Sequence, residues 1–154
     1  MRWPGRIEPG SKSDAVSGTI DILPTLVGLA GGQTPAEPVI DGRDLSPVLF
    51  GKSRESPREA HYYFDHYQLQ AVRQGPWKLA VHSQPDEDAK EPRLYNLDDD
   101  PGENTEVSRQ HPDIVSRLSD LAKRMDAEIG GKHPRARRPA GESSKPKLLF
   151  PGAR

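Results

Sequence analysis

The sequence predicts an α+β fold in which a small antiparallel sheet of three to four strands packs on a C-terminal helix. Apolar and polar residues alternate on both sides of a Gly-Pro turn at residues 75–76, which is typical of a β-hairpin with one apolar face. Residues 112–129 instead repeat apolar side chains every three or four positions, as an amphipathic helix does. The apolar face of the sheet and the apolar stripe of the helix are expected to cover each other.

The composition limits how large a core this chain can form. Its 154 residues suffice for one modest domain, but only 32% are hydrophobic and the mean hydropathy is -0.81. Glycine and proline contribute 14 and 16 residues, so long irregular segments are predicted. We therefore expect a soluble chain that is either partly disordered or in contact with a partner surface.

The sequence contains neither cysteine nor a long apolar run. Without cysteine, this chain forms no disulfide, no thiolate metal site and no cysteine nucleophile. No apolar run approaches the roughly 20 residues that a membrane-spanning helix needs, so no membrane partner is expected.

The first predicted helix lies within residues 17–32. Asp21 takes its N-cap position, which places Pro24 in the first turn, where backbone N–H groups have no partner inside the helix. Gly31 and Gly32 end the helix. Its apolar side chains occupy more than one face, so the helix is expected to be buried against something larger. These side chains are Ile22, Leu23, Leu26, Val27 and Leu29.

A second, shorter helix is predicted to start in the same way. Asp44 takes the N-cap position, Pro47 falls in the first turn and Gly51 ends the helix. The two helices share their type of start, but they do not form an internal repeat.

Short strands follow the second helix. Residues 62–64 are aromatic and bounded by charge, and residues 69–73 and 77–82 are the two arms of the hairpin. Residues 83–92 read as a polar, acidic loop, and residues 94–97 form a further short strand.

The last predicted helix begins with Pro112 at its first position and ends at Gly130. Its apolar stripe consists of Ile114, Leu118, Leu121, Met125 and Ile129. Seven Lys and Arg residues and a single acid follow from Lys132 onward, and we expect this segment to be disordered.

Five segments of the chain carry short motifs that occur in a fixed order. They are residues 2–10 (RWPGRIEPG), 16–25 (VSGTIDILPT), 41–49 (DGRDLSPVL), 71–79 (AVRQGPWKL) and 94–103 (LYNLDDDPGE). Together these motifs resemble the C-terminal region of the sulfatase family of the arylsulfatase type, over about residues 2–125. One departure is visible, because the family commonly has Asn where this chain has Glu106.

The resemblance implies a fold and a division of the chain. Sulfatases have a large α/β domain that carries the active site and a smaller C-terminal domain, in which an antiparallel sheet packs on a helix. On this pattern residues 1–52 are the incomplete end of the large domain and residues 53–130 are the C-terminal subdomain. Residues 131–154 are then a disordered basic tail.

The resemblance also implies hydrolysis of sulfate esters, either aryl or carbohydrate sulfates. In the family, a Cys or Ser in a Cys/Ser-x-Pro-x-Arg motif is oxidised to formylglycine, and carboxylates and an amide hold a calcium ion. These groups lie upstream of the "WPG" segment, and this chain contains no such motif. We therefore expect no catalytic residue, metal ligand or cofactor in this chain, and no activity of the chain alone. The family is usually periplasmic, secreted or lysosomal, which leaves the compartment open.

The loop between the first two strands is the candidate substrate-proximal site. In the sulfatase fold, loops of the small domain lean over the mouth of the active site. Residues 63–70 offer an aromatic face, a charge and hydrogen-bond donors, and we name Asp65, His66 and Gln70 as substrate-proximal. The expected partner is a sulfated small molecule or glycan. An ordinary polar hairpin loop is the alternative interpretation.

Other polar residues are interpreted as structural. Arg73 and Lys78 would suit an anionic substrate, but strand cations near an acidic surface are more often ion-paired. The acidic run at 98–100 lacks the alternating ligands of an EF-hand and is read as a capped turn. The five histidines show no metal-ligand spacing.

Two other functions remain open from the sequence. Hydrolysis of phosphomonoesters or phosphodiesters within the same superfamily is one, although the motifs at 71–79 and 94–103 favour a sulfatase. The other is a non-enzymatic fragment that binds polyanions through its basic tail. The tail lacks interleaved aromatic residues, so no nucleic-acid partner is expected.

Overall fold

A computed structural model describes residues 1–37, 39–66, 68–81 and 92–129. Residues 83–91 of the acidic loop predicted at 83–92, and the predicted disordered tail at 131–154, lie outside the described residues. Within the part of the chain that is described, no helix is long and apolar enough to cross a membrane.

Three helices and four strands make up the described regular structure. The sheet order is β1-β2-β3-β4, so each strand pairs with its neighbour in sequence. The predicted antiparallel sheet of three to four strands with a C-terminal helix is confirmed, with four strands. Short 3₁₀ turns at Thr19–Asp21 and Ser108–Gln110 precede the first and last helices. The bounds are α1 Ile22–Leu29, α2 Ser46–Leu49, β1 His61–Asp65, β2 Gln68–Gln74, β3 Trp77–Ala80, β4 Arg93–Asn96 and α3 Pro112–Ile129.

The chain divides into two compact units. The first unit comprises residues 1–61 and 73–77, and the second comprises residues 62–72 and the described residues from 78 onward.

The second unit contains the larger apolar core. The sheet contributes buried side chains from every strand but the first, and α3 contributes the first three residues of its predicted stripe together with Ala122. Met125 and Ile129, which continue the stripe, are only half-buried. Burial of a large aliphatic side chain contributes about 1.5–3 kcal/mol, so these side chains are a stabilising contribution to the unit. Its large members are Leu69, Val72, Leu79, Leu94, Tyr95, Ile114, Leu118 and Leu121.

The starts of α1 and α2 differ in detail from the prediction. Asp21 does take the N-cap position of α1, and Pro24 does fall in the first turn, but the Asp21 side chain makes no capping bond to α1. For α2 the predicted N-cap was wrong by one residue, because Leu45 takes that position. Asp44 instead binds the backbone N–H and the hydroxyl of Ser46, both at 2.8 Å, which its position before the helix allows.

The apolar side chains of α1 point largely away from the rest of the first unit. Leu23 and Leu26 are 55% and 56% exposed, and Ile22 and the preceding Ile20 are 40% and 48% exposed. The predicted need of this helix for a larger covering surface is therefore not met within the first unit.

Aromatic and cationic side chains join the N-terminal segment to the end of α2. The ring centroids of Trp3 and Phe50 are 5.8 Å apart in an edge-on arrangement. The Arg6 guanidinium carbon lies 5.7 Å from both ring centroids, within the range of a cation–π interaction.

Candidate functional site

The candidate substrate-proximal residues lie at the turn between β1 and β2. Asp65 is the last residue of β1, and β2 begins at Gln68. His66 has a φ of 53°, in the left-handed region that turns of this length require. Among non-glycine residues, histidine is one of those enriched in this region, so the sequence suits the turn.

The turn joins two of the three predicted residues directly. Nδ1 of His66 lies 2.8 Å from Oδ1 of Asp65, and the two side chains are 86% and 72% exposed. A neutral imidazole that donates from Nδ1 to a carboxylate has its Nε2 available to accept a hydrogen bond. In that form the pair presents two acceptors to solvent: Nε2 of the ring and the second carboxylate oxygen.

Gln70 is placed differently from the other two. It is half-buried within β2, and its backbone carbonyl accepts a hydrogen bond of 2.8 Å from the N–H of Val81. Its backbone is thus fixed within the second unit, while its side chain is partly open to solvent.

The two strand cations have partners within their own units. Nζ of Lys78 lies 2.5 Å from Oε1 of Glu103 and 5.0 Å from the ring centroid of Tyr63. Nε of Arg73 donates to the carbonyl of Gly75 at 3.0 Å, within the hairpin turn. The ion-paired interpretation of Lys78 is confirmed, and Arg73 stabilises the turn.

The acidic turn after β4 uses its carboxylate for backbone bonds. Oδ2 of Asp100 accepts from the N–H groups of Asn104 at 2.6 Å and Thr105 at 2.7 Å. The Thr105 bond, with those from Asn104, holds the pKa of Asp100 below its usual value against a smaller opposing effect of burial. Among the described residues, no group of three or more His, Asp or Glu side chains is arranged to hold a metal ion.

Glu106, the departure from the family pattern, has a structural role. Its Oε1 accepts from the N–H of Leu94 at 3.2 Å and from that of Ser108 at 2.5 Å. Burial alone would raise the pKa of Glu106, but the bonds from Ser108 and Leu94 and the nearby Arg109 outweigh it, so the pKa is lowered. The carboxylate thereby fixes the start of β4.

Sequence reasoning missed a buried polar cluster in the first unit. The Asp21 side chain is fully inaccessible to solvent and forms an ion pair with Arg58, whose side chain is 9% exposed. Asp21 also accepts from the backbone N–H of Gly18 at 2.8 Å and of Arg43 at 2.7 Å. The indication in the sequence was that Asp21 lies within an apolar run. An Asp in such a run is expected to be buried, and a buried Asp is almost always paired.

Neighbouring groups extend this cluster. Thr25, also fully buried, donates from its hydroxyl to the carbonyl of Asp21 at 2.6 Å and accepts from the N–H of Leu45 at 2.9 Å. Gly42 approaches so closely that a Cβ there would lie 2.0 Å from the carbonyl oxygen of Ile20. The Asp-Gly-Arg segment at 41–43 is thus held tightly against the start of α1.

The charged form of Asp21 is favoured in this environment. Burial raises its pKa, but the N–H groups of Gly18 and Arg43 and the guanidinium of Arg58 together lower it below the ordinary value of 3.8. Asp21 is therefore ionised at neutral pH.

Comparison with known proteins connects this structure to one family. Residues 1–129 match the family described as N-sulphoglucosamine sulphohydrolase, C-terminal. This chain is a member of the sulfatase family. The resemblance inferred from the five motifs is confirmed, and the matched region includes both described units.

The sulfatase relatives are much longer than this chain. Bovine arylsulfatase A is 34% identical over 156 residues, which cover 82% of this chain and 30% of that protein. Human steryl-sulfatase is 43% identical over 76 residues, which cover 49% of this chain and 13% of that protein. This sulfatase chain therefore spans less than a third of the curated relatives it matches.

Solved structures show the same fold. A Bacteroides thetaiotaomicron protein from work on the metabolism of multiple glycosaminoglycans has a TM-score of 0.66 and 28% identity, over 82% of this chain and 28% of that chain. A second protein, solved with its substrate D-glucosamine-2-N,6-O-disulfate, has a TM-score of 0.61 and 26% identity, over 82% of this chain and 27% of that chain.

Proposed function

We propose that this chain is the C-terminal part of a longer sulfatase that hydrolyses a sulfate ester of a small molecule or glycan. Within it, residues 1–52 complete the large α/β domain and residues 53–130 form the small subdomain. The exposed Asp65–His66 pair, together with Gln70, contacts the alcohol portion of the substrate. The observation that carries this role is the 2.8 Å pair presented on a tight turn of a sulfatase C-terminal region.

The chemistry of the pair favours hydroxyl groups over a sulfate group. A carboxylate repels an anion but accepts hydrogen bonds from hydroxyls, and Nε2 of a neutral His66 also accepts. Sugar rings and other alcohols supply such donors. The substrate named for one structural relative, a disulfated glucosamine, has a hydroxylated ring of this kind and supports a glycan as the ligand.

The formylglycine and calcium of sulfatases do not fit the residues of this chain. The chain has no cysteine and no Ser-x-Pro-x-Arg sequence, and Asp100 in the acidic turn is committed to backbone N–H groups. We therefore assign both groups to another part of the longer protein, and we expect this chain alone to be inactive.

The activity of the chain alone is tested directly. The 154-residue chain, freed of host sulfatase, is incubated with an aryl sulfate and with a sulfated glucosamine, with and without calcium. We expect no turnover above background, because the chain supplies no nucleophile. Turnover that copurifies with the chain would refute this assignment.

The substrate role is tested in a chimaera in which residues 1–129 replace the matching part of human arylsulfatase A. His66→Ala should lower kcat/KM for a sulfated glycan about two- to tenfold, the effect of one lost hydrogen bond of about 0.5–1.5 kcal/mol. A small aryl sulfate that does not reach the turn should be hydrolysed as before.

Asp65→Ala and Asp120→Ala provide a matched pair of variants for the same assay. Both carboxylates are exposed and paired with a nearby side chain, at 2.8 Å to His66 and 3.2 Å to Lys123. Only Asp65→Ala should affect the glycan sulfate. Equal losses on both substrates, or no loss on either, would contradict the proposed contact.

A further inference from the structure

The turn at residues 3–6 in the first unit places a cation against two aromatic rings. The N–H of Arg6 donates to the carbonyl of Trp3 at 3.0 Å. Pro4 and Gly5 lie between them, and Gly5 has a φ of 76°, the positive value that the third position of a type II turn requires. The turn brings the Arg6 guanidinium carbon to 5.7 Å from the ring centroids of both Trp3 and Phe50. We call the side chains of Trp3, Arg6 and Phe50 the aromatic corner.

The rings hold the cation of the corner, and no carboxylate of the described residues pairs with it. None of the ion pairs formed within the described part of the chain includes Arg6, and its side chain makes no hydrogen bond there. A guanidinium carries five N–H donors in a fixed fork that matches two oxygens of a sulfate or carboxylate group. Arg6 is exposed, so these donors are available to an anion from solvent.

The aromatic part of the corner is also open to a ligand. Trp3 is 39% exposed, and its ring meets the half-buried Phe50 edge-on, with 5.8 Å between the centroids. A Cβ added at Gly5 or Gly51, which adjoin Arg6 and Phe50, would have no described atom within 4 Å beyond its chain neighbours. An indole held in this way offers a large apolar face at little cost in conformational entropy.

Two features of a ligand follow from these neighbours. It must carry an oxyanion for the guanidinium and, close to that group, an apolar face for the indole. A sugar ring has such a face, formed by its C–H groups, and an ester on the ring supplies the oxyanion. Because the chain belongs to the sulfatase family, sulfate is the expected ester.

We propose that the aromatic corner binds a sulfated sugar unit, with Arg6 on the sulfate group and Trp3 against the sugar ring. Phe50 holds the other two side chains in position. This site shares the ligand class of the proposed function but uses none of its contact residues. Binding to the corner is measured without turnover, so its failure would leave the proposed contact at Asp65 and His66 untouched.

Binding is measured by NMR on the full 154-residue chain, through the indole N–H signals of Trp3 and Trp77, its two tryptophans. N-acetylglucosamine 6-sulfate should shift the Trp3 signal to saturation and the Trp77 signal much less. N-acetylglucosamine should bind about tenfold more weakly, because it lacks the charge-assisted hydrogen bonds. No saturable shift of Trp3, or equal binding of the two sugars, would overturn the proposal.

Variants of Arg6 separate the corner from general attraction of anions. Arg6→Gln should weaken binding of N-acetylglucosamine 6-sulfate about tenfold, which corresponds to about 1.4 kcal/mol. Arg6→Lys should recover only part of this loss, because lysine keeps the charge but not the fork. The matched control is Arg117→Gln, which removes the same charge from an exposed arginine on α3 and should leave binding unchanged. Equal losses for Arg6→Gln and Arg117→Gln would refute the assignment.

Variants of Trp3 test the contact with the sugar ring. Trp3→Leu should weaken binding of the sulfated sugar severalfold and binding of inorganic sulfate less, whereas Trp3→Phe, which keeps an aromatic face, should stay close to the unaltered chain. If the corner only fastens this turn to the end of α2, the variants will lower the urea midpoint and the unaltered chain will bind no sugar, which contradicts the proposal. N-acetylglucosamine 6-phosphate distinguishes the ester: binding more than about tenfold tighter than that of the sulfate would replace sulfate by phosphate and overturn the proposal as stated.

Discussion

Replacement of Asp21 by Asn should strongly destabilise the first unit. Asparagine has almost the same size, so packing is kept, but the carboxylate charge and one acceptor are lost. The amide nitrogen would face a donor, since Gly18 N–H, Arg43 N–H and Arg58 all point at this side chain. The Arg58 side chain, which is only 9% exposed, would then lack its counter-charge.

The expected loss is about 3–5 kcal/mol of the free energy of unfolding, the usual cost of removing one partner of a buried ion pair. Water does little to weaken the ion pair of Asp21, because the Asp21 side chain is fully inaccessible to solvent. Since whole domains are stable by only about 5–15 kcal/mol, such a loss should be visible as a lower urea midpoint. Arg58→Met should cost less, because Asp21 would keep its two backbone donors.

The matched control is Asp120→Asn on α3. Asp120 also pairs with a cation, Lys123 at 3.2 Å, but the two side chains are 67% and 76% exposed. Exposed pairs contribute about 0–1 kcal/mol, so this control should leave the urea midpoint nearly unchanged. A loss below about 1 kcal/mol for Asp21→Asn, or equal losses for both variants, would refute the assignment of Asp21 as the centre of the first unit.

Two further predictions concern the same unit. Gly42→Ala should lower the free energy of unfolding in urea by about 1–3 kcal/mol, because its Cβ would meet the backbone oxygen of Ile20, which cannot move aside as a side chain would. The control Gly28→Ala, whose Cβ would lie 3.7 Å from Asp44, should be neutral or stabilising. Similar effects of the two variants would contradict the argument. Leu26→Glu should reduce the binding of a hydrophobic dye and the self-association of the chain, whereas Val39→Glu, on an exposed residue outside the α1 face, should change both less.

The parts of the fold that local sequence decides could be predicted. The helix α3 begins at Pro112 because proline suits a first helical position, and its apolar stripe has a single period over 18 residues. The hairpin between β2 and β3 follows from alternation around Gly75, whose φ of 57° suits a tight turn. Both elements depend on neighbours in sequence, which is why they lie where predicted, although β3 ends at Ala80 rather than at residue 82.

The role of Asp21 could not be predicted by the same reasoning. Its partners Arg43 and Arg58 lie 22 and 37 positions away. A capping rule identifies an Asp before a helix, but it does not decide whether the carboxylate turns to its own helix or to distant groups. For the candidate site, the sequence predicted a polar loop. The hydrogen bond between Asp65 and His66 and the left-handed backbone at His66 are seen only in the structure.

The first unit buries few apolar side chains and exposes several large ones, which bears on what the chain is part of. Among its described residues Asp21 and Thr25 are fully buried, and Leu45 and Ala60 are 8% and 6% exposed, whereas Ile20, Ile22, Leu23 and Leu26 are 40–56% exposed. Each such aliphatic side chain forgoes part of the roughly 1.5–3 kcal/mol that full burial would contribute. A buried ion pair holds a backbone in one arrangement but supplies little net stability. The cluster around Asp21 thus sets the shape of this segment, and in the longer sulfatase proposed above a surface that covers these side chains would add to its stability. The short coverage of bovine arylsulfatase A, 30% of its length, leaves ample chain for that surface.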